Sequence, residues 1–165
     1  MNIQQVADEQ KQLLASYGIS LNNQLEDLSR PWGGYLVINP DDTATFIERY
    51  FAGADFSFDS SLDLQPKILM VLPGQRLSWQ YHLRRAEYWR AVEHDVGYHK
   101  SKTDDMGQLK TLPSGDFVRF ETEERHRLVG LDEVGVVAEI WQHTDPENPS
   151  DEDDIIRVQD DYKRA

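Results

Sequence analysis

From Pro73 to Trp89 the chain reads PGQRLSWQYHLRRAEYW, a Pro-Gly turn signal followed by alternating side chains of the kind a half-buried strand carries. With a period of two, Ser78, Gln80 and His82 share one face, and Leu77, Trp79 and Tyr81 share the other. The same period predicts strands at Tyr35–Ile38, Thr43–Phe51, Lys67–Leu72, onward from Glu87 to His94, Tyr98–Lys102, Leu109–Leu112, Phe117–Thr122 and Gly135–Gln142. Turn signals separate them at Asn39-Pro40-Asp41-Asp42, Pro73-Gly74, Asp95-Val96-Gly97 and Ser114-Gly115-Asp116, and Gly53 to Leu64 reads as polar and irregular. Many short strands with closely spaced turns predict an antiparallel sandwich or barrel. A helical period appears only at the start. Ile3, Val6, Leu13, Leu14 and Tyr17 lie near one face of a helix over residues 2–17, and Gly18 is placed to stop it. Leu21, Leu25 and Leu28 predict a second short helical stretch, both to pack outside the sheets or at a subunit contact. The stretch Asp145 to Asp154 reads as an acidic solvated loop, after which Ile155, Ile156, Val158 and Tyr162 return to the body.

Composition narrows the function classes. The chain has 165 residues, enough for one domain with a sizeable core. It has no cysteine, so disulfides and thiolate metal sites are excluded and any metal must sit on nitrogen and oxygen ligands. The net charge of −13 argues against nucleic acid or an anionic membrane surface as a partner. No apolar run approaches the length of a membrane span and no signal-peptide core is present, so a cytoplasmic location is expected. A phosphorylated substrate would need a local cationic cluster, for which Arg84, Arg85, Arg157 and Arg164 are the candidates.

The candidate chemistry lies in the opening stretch. Gln80 and His82 offer an amide oxygen and an imidazole nitrogen two residues apart, and Glu87 places a carboxylate among aromatics, where an unpaired charge is expensive. Gly74, Gln80-x-His82 and Glu87 have the spacing of the first metal motif of the cupin barrels, with Gln in place of the usual first His. QYHLRRAEYW at 80–89 resembles the core motif of type II mannose-6-phosphate isomerases. RPWGGY at 30–35 resembles that family's opening motif, and EDDIIRVQDDYKR at 152–164 its closing segment.

The resemblance implies an all-β cupin barrel (a double-stranded β-helix or jelly roll) over residues 30–165, with an N-terminal helical extension over 1–29. It also implies a homodimer. It further implies a divalent metal on Gln80, His82, Glu87 and His126, the last falling where the family carries its second-motif His. Such ligands suit Zn²⁺ first, with Mn²⁺, Co²⁺, Fe²⁺ and Ni²⁺ also compatible. The alternative is that His82 and His126 are satisfied barrel histidines and Glu87 pairs with Arg85. Arg85 matches the Arg of the family's RAE core and would hold a phosphate or stabilise enediolate charge; an ion pair with Glu87 is the competing role. Arg157, after EDDI, would be a second anion clamp or a surface charge offsetting Asp153 and Asp154. Trp32 and Trp89 are candidates for the pocket wall, and Lys100, Lys102 and Lys110 for its rim. His94, His99 and His143 read as ordinary.

The departures from the family lie at Leu83, Arg84 and Tyr88, and at Phe120 to Glu124, where a proline-glycine turn is expected. They bear on substrate and metal affinity more than on fold. The expected function is a metal-dependent aldose–ketose isomerase of a sugar phosphate, of the mannose-6-phosphate to fructose-6-phosphate type. The alternatives are a non-catalytic sugar- or small-molecule-binding cupin, and a metal-dependent oxygenase. Guanylyl transfer, carried by a nucleotidyltransferase domain in the fused members of the family, is not expected of this chain.

Overall fold

The computed structural model describes residues 1–55, 57–59 and 64–162. Arg164 lies outside them. Helix α1 spans Ile3–Ser16. Its start is fixed by a reciprocal cap, in which the Asn2 side chain accepts from the Gln5 amide and the Gln5 side chain from the Asn2 amide, both at 2.9 Å. Gly18 stops it at φ +77°. Helix α2 spans Thr43–Tyr50. The described residues form eleven strands: β1 (Asp27–Arg30), β2 (Gly33–Val37), β3 (Leu64–Val71), β4 (Trp79–Tyr81), β5 (Arg85–Glu93), β6 (Val96–Ser101), β7 (Lys110–Leu112), β8 (Phe117–Phe120), β9 (Arg125–Val129), β10 (Gly135–His143) and β11 (Ile156–Gln159). They form two antiparallel sheets. One has the order β1-β2-β3-β10-β5-β8, the other β11-β4-β9-β6-β7. Among the described residues, no helix is long and apolar enough to cross a membrane.

Four expectations need correction. Residues 43–50, expected as a strand with Phe51, form a helix. Asn39 accepts from the Asp41 amide at 3.1 Å and Pro40 opens a 3-10 turn that feeds α2, while Phe46 and Tyr50, one turn apart, bury their rings 4.7 Å from each other. The β-branched Thr43, Thr45 and Ile47 lose to that burial. Leu21, Leu25 and Leu28 form no helix: Leu21 bridges Ile38, Leu25 is 56% exposed, and Leu28 lies in β1. The stretch from Leu77 to His94 is not one strand. It bends at His82–Arg84 and crosses from the five-stranded sheet into the six-stranded one. The turn after it falls at His94 and Asp95, with His94 at φ +61°, so that Val96 and Gly97 begin β6.

Strand periodicity explains how the interior is organised. On β3, Ile68 and Met70 point outward into a core shared with Val6, Leu14, Phe46 and Tyr50 of the helices. Leu69 and Val71 point inward, to a second core with Trp89, Ala91, Phe120, Leu128 and Val137 between the sheets. Both faces of β3 and β10 are therefore buried, which accounts for their unbroken apolar character. The inward positions change character along the barrel. Lys67, Glu87 and Glu139 occupy inward positions on β3, β5 and β10 and line one cavity; Lys67 pairs in register with Glu139, and Glu87 with Trp141 two positions along β10. These charged residues, buried around one cavity, locate the site.

Candidate metal centre

The bend at His82–Arg84 creates the centre. It leaves His82 at the end of β4 while Glu87 enters from β5, on the facing sheet, and β9 presents His126, paired in register with Gln80. His82 Nε2 is 2.9 Å from Glu87 Oε2 and 3.2 Å from His126 Nε2, and His126 Nε2 is 3.3 Å from Glu87 Oε1. All three residues are buried. An ion bound at about 2.0–2.2 Å from each donor would space neighbouring donors about 2.8–3.6 Å apart, a range that takes in these separations.

The histidine tautomers agree with that geometry. His82 Nδ1 is 2.6 Å from the Asp154 carbonyl and His126 Nδ1 is 3.0 Å from the Glu124 carbonyl. Carbonyls only accept, so each Nδ1 carries the proton and each Nε2 turns a lone pair toward Glu87. Two lone pairs and a carboxylate converging in a buried space call for a cation, and the residues fit a divalent metal. Burial lowers the His82 pKa, which keeps the imidazole neutral and able to ligate. Burial alone would raise Glu87, yet its polar neighbours His82, His126 and Arg85 hold it well below the usual carboxylate range.

Arg85 closes the cluster from one side. Its Nε donates to Glu87 Oε2 at 3.0 Å, Nη2 lies 3.2 Å from His82 Nε2, and Nη1 donates to Ser150 Oγ and the Asp151 carbonyl. The guanidinium also lies 3.3 Å from the Trp141 ring centroid. The ion pair with Glu87, the competing role for Arg85, is thus present. Gln80 is buried, lines the cavity and donates to the Ser78 carbonyl at 3.3 Å. Arg157 pairs in register with Gln80 from β11 and lines the same cavity, as do Trp32 and Trp89. The cavity has a volume of about 110 Å³.

Other candidates lie elsewhere. Arg84 turns away to Asn148 and the Pro149 carbonyl, and Lys100 donates to the Arg119 carbonyl; neither they nor Lys102 and Lys110 line the cavity. His94 pairs with Glu133, and His143 accepts from the Ser150 amide. The missing proline-glycine turn before His126 is replaced by Glu121–Glu124. There Glu123 takes φ +67° and the Glu124 side chain accepts from the Glu121 amide, so the turn forms without glycine and starts β9.

Several residues of the site escaped the sequence reading. Glu139 lines the cavity and accepts from the indole N–H groups of Trp89 at 2.9 Å and Trp141 at 2.8 Å. Burial and the neighbouring Glu87 charge push it up to about 8. Lys67, Arg30 and Tyr35 also line the cavity. A lone charge inside an apolar run was the available signal for two of them, Lys67 in KILMVL and Glu139 in GVVAEIW. Asp154, assigned to a solvated loop, is buried. Its carboxylate accepts from the Leu83 and Arg84 amides and from Ser150 Oγ, while its carbonyl orients His82. Asp154→Ala is expected to weaken metal binding about 10- to 100-fold with the chain still folded, measured by Co²⁺ titration followed by absorbance. Unchanged affinity would mean that the imidazole is held without this loop.

No known protein-family profile matches the chain. It is 29% identical over 151 residues to the mannose-1-phosphate guanylyltransferase of Salmonella montevideo, an alignment covering 88% of this chain but 26% of that protein. Among solved structures it resembles the oxalate decarboxylase of Bacillus subtilis (TM-score 0.57, 13% identity, 80% of this chain and 29% of that one). It also resembles KdgF from Halomonas sp. (TM-score 0.53, 14% identity, 80% of this chain and 93% of that one). The chain thus spans about a quarter of the guanylyltransferase. Both structural neighbours are cupins, and two antiparallel sheets closed around an interior histidine–carboxylate cluster give this chain the cupin fold.

Proposed function

We propose that the protein is a metal-dependent aldose–ketose isomerase of a sugar phosphate, of the mannose-6-phosphate to fructose-6-phosphate type. The observation that carries this reading is that Glu87 and His126, in contact with His82, line a cavity whose walls also include four cations, Arg30, Lys67, Arg85 and Arg157, in a chain of net charge −13. Cations gathered against the overall field favour an anionic ligand. Similarity to a mannose-1-phosphate protein supports a phosphorylated sugar, and the Mn(II) centres of the oxalate decarboxylase support a metal in this fold.

In this reading His82, Glu87 and His126 hold the ion, with Gln80 as a further ligand. The bound ion supplies Lewis acidity toward the C1 and C2 oxygens of the open-chain sugar. Arg85, beside the cluster, offers guanidinium N–H groups to the enediolate oxygen. Glu139 lies in the same cavity, carries no ion-pair partner among the described residues, and is the carboxyl placed to carry the proton between C1 and C2. Trp89 and Trp141 wall that carboxyl from water.

Protein loaded with Zn²⁺, Mn²⁺ or Co²⁺ is expected to interconvert mannose 6-phosphate and fructose 6-phosphate. Arg85→Met should lower kcat at least 100-fold, the effect of removing one charge-stabilising donor group. A non-catalytic sugar-phosphate-binding cupin is the second reading, favoured by the contacts of Arg85 with both Glu87 and His82, which partly cover the donor atoms. Metal-loaded protein that binds mannose 6-phosphate without turnover would establish it in place of the first.

A further inference from the structure

Lys67 is an unusual occupant of its strand. It sits on β3 between Pro66 and Ile68, faces the barrel interior and is 7% exposed. Its Nζ lies 3.9 Å from the Trp141 ring centroid and 4.9 Å from that of Tyr35, so the ammonium is boxed by aromatics. A buried ammonium needs an anion. Among the described residues its ion pair is with the Glu152 carboxylate at 2.8 Å, which belongs to a loop residue whose side chain is 69% exposed, and its charge also reaches Glu139, its register partner on β10. Arg30 also lies by Tyr35, with its guanidinium 5.6 Å from the ring centroid and Nη2 3.4 Å from the hydroxyl; its Nε pairs with Asp27 at 3.0 Å, and the Glu152 charge reaches it as well. Lys67, Tyr35, Trp141 and Glu152 line both the cavity of the metal centre and a neighbouring cavity of about 330 Å³. The Lys67–Glu152 pair therefore stands where the two spaces meet.

We propose that Lys67, Arg30 and the Tyr35 hydroxyl form the subsite for a phosphomonoester, and that Glu152 occupies it as an internal anion until the ligand displaces it. The proposal rests on the sugar-phosphate reading above and gives that ligand's charged end a place. Two cations flanking a hydroxyl offer donors to several oxygens of one group, which suits a tetrahedral dianion better than a planar carboxylate. The exchange is balanced in charge and solvation. Lys67 passes from one anion to another without being left bare, and Glu152, already largely exposed, returns to water. A buried carboxylate partner would have opposed the exchange.

The test uses metal-free protein, so that its result does not depend on catalysis. Calorimetric titration with inorganic phosphate, mannose 6-phosphate, mannose and glucuronate would compare wild type, Glu152→Gln and Lys67→Met, with metal uptake and melting temperature measured on each. Glu152→Gln is expected to bind phosphate and mannose 6-phosphate about tenfold tighter, because the competing charge is gone. Lys67→Met should bind them tenfold or more weaker, the loss of one charge-assisted contact. Mannose should not respond to either change. Glu152 is exposed, so its variant reports even if Lys67→Met folds poorly. No tightening in Glu152→Gln would overturn the proposal and leave the pair as a tie for the 145–154 loop. Equal tightening toward glucuronate would overturn the phosphomonoester assignment. Phosphate binding that responds as expected in a protein without isomerase activity would support the subsite while sinking the catalytic reading. Isomerase turnover unaffected by either substitution would do the reverse.

Discussion

His82→Ala is expected to abolish metal binding while leaving the fold intact. Wild-type protein should carry close to one divalent ion per chain by mass spectrometry, and the variant close to none. Three donors converge from two facing sheets, and without the His82 imidazole only Glu87 and His126 remain of the cluster. The backbone at the bend does not depend on the imidazole: the His82 carbonyl still accepts from the Glu123 amide at 2.8 Å. Folding and metal loss are thereby separable. The wild-type melting temperature should rise with added Zn²⁺ or Mn²⁺, since an ion at about 1,000 times its Kd stabilises a folded chain by about 4 kcal/mol. The variant should show no such rise. Wild type that takes up none of Zn²⁺, Mn²⁺, Co²⁺ or Fe²⁺, or a variant that keeps its ion, would end the metal reading.

The largest expected effect on stability comes from Gly33→Ala. Gly33 lies at φ +147°, and a Cβ there would collide with the Met70 carbonyl of β3. Its neighbours leave no room to yield. Gly33 pairs with Val71 on one side and Arg30 on the other, and the Trp32 carbonyl accepts from the Leu72 amide at 2.9 Å. Strained φ and a backbone clash together should cost about 3 kcal/mol or more, and the melting temperature should fall by roughly 6–12 °C. The comparison is Gly107→Ala. Gly107 also has positive φ, +66°, but a Cβ there meets nothing within 4 Å, so the cost should be only about 1–2 kcal/mol. Equal losses in the two variants would show that φ, not the close approach of β2 to β3, sets the requirement for glycine. Because Arg30 and Trp32 line the cavity, a shift at Gly33 should also weaken ligand binding.

The sequence alone determined the class of fold and much of the cluster. The apolar runs of β3 and β10, the Pro73-Gly74 turn and the first helix with its Gly18 stop depend on residues close in the chain, and such short-range signals survive in the linear sequence. His82 and Glu87 stood out by residue type and spacing in a chain without cysteine, and His126 was named through the family resemblance. The tertiary structure decided the rest. Residues 43–50 have β-branched side chains suited to a strand, and only burial of Phe46 and Tyr50 against the sheet makes them a helix. The bend at His82–Arg84 cannot be read from alternation, since a strand that changes sheets keeps its local pattern. That bend turns Glu87 toward His82 instead of leaving it further along the same ribbon. Asp154 looked like part of a solvated acidic run until the fold joined positions 72 apart in the chain and set its carbonyl on His82. Lys67 and Glu139 became site residues for the same reason. A buried charge is intelligible only once its surroundings are known, and those surroundings are supplied by strands distant in the chain.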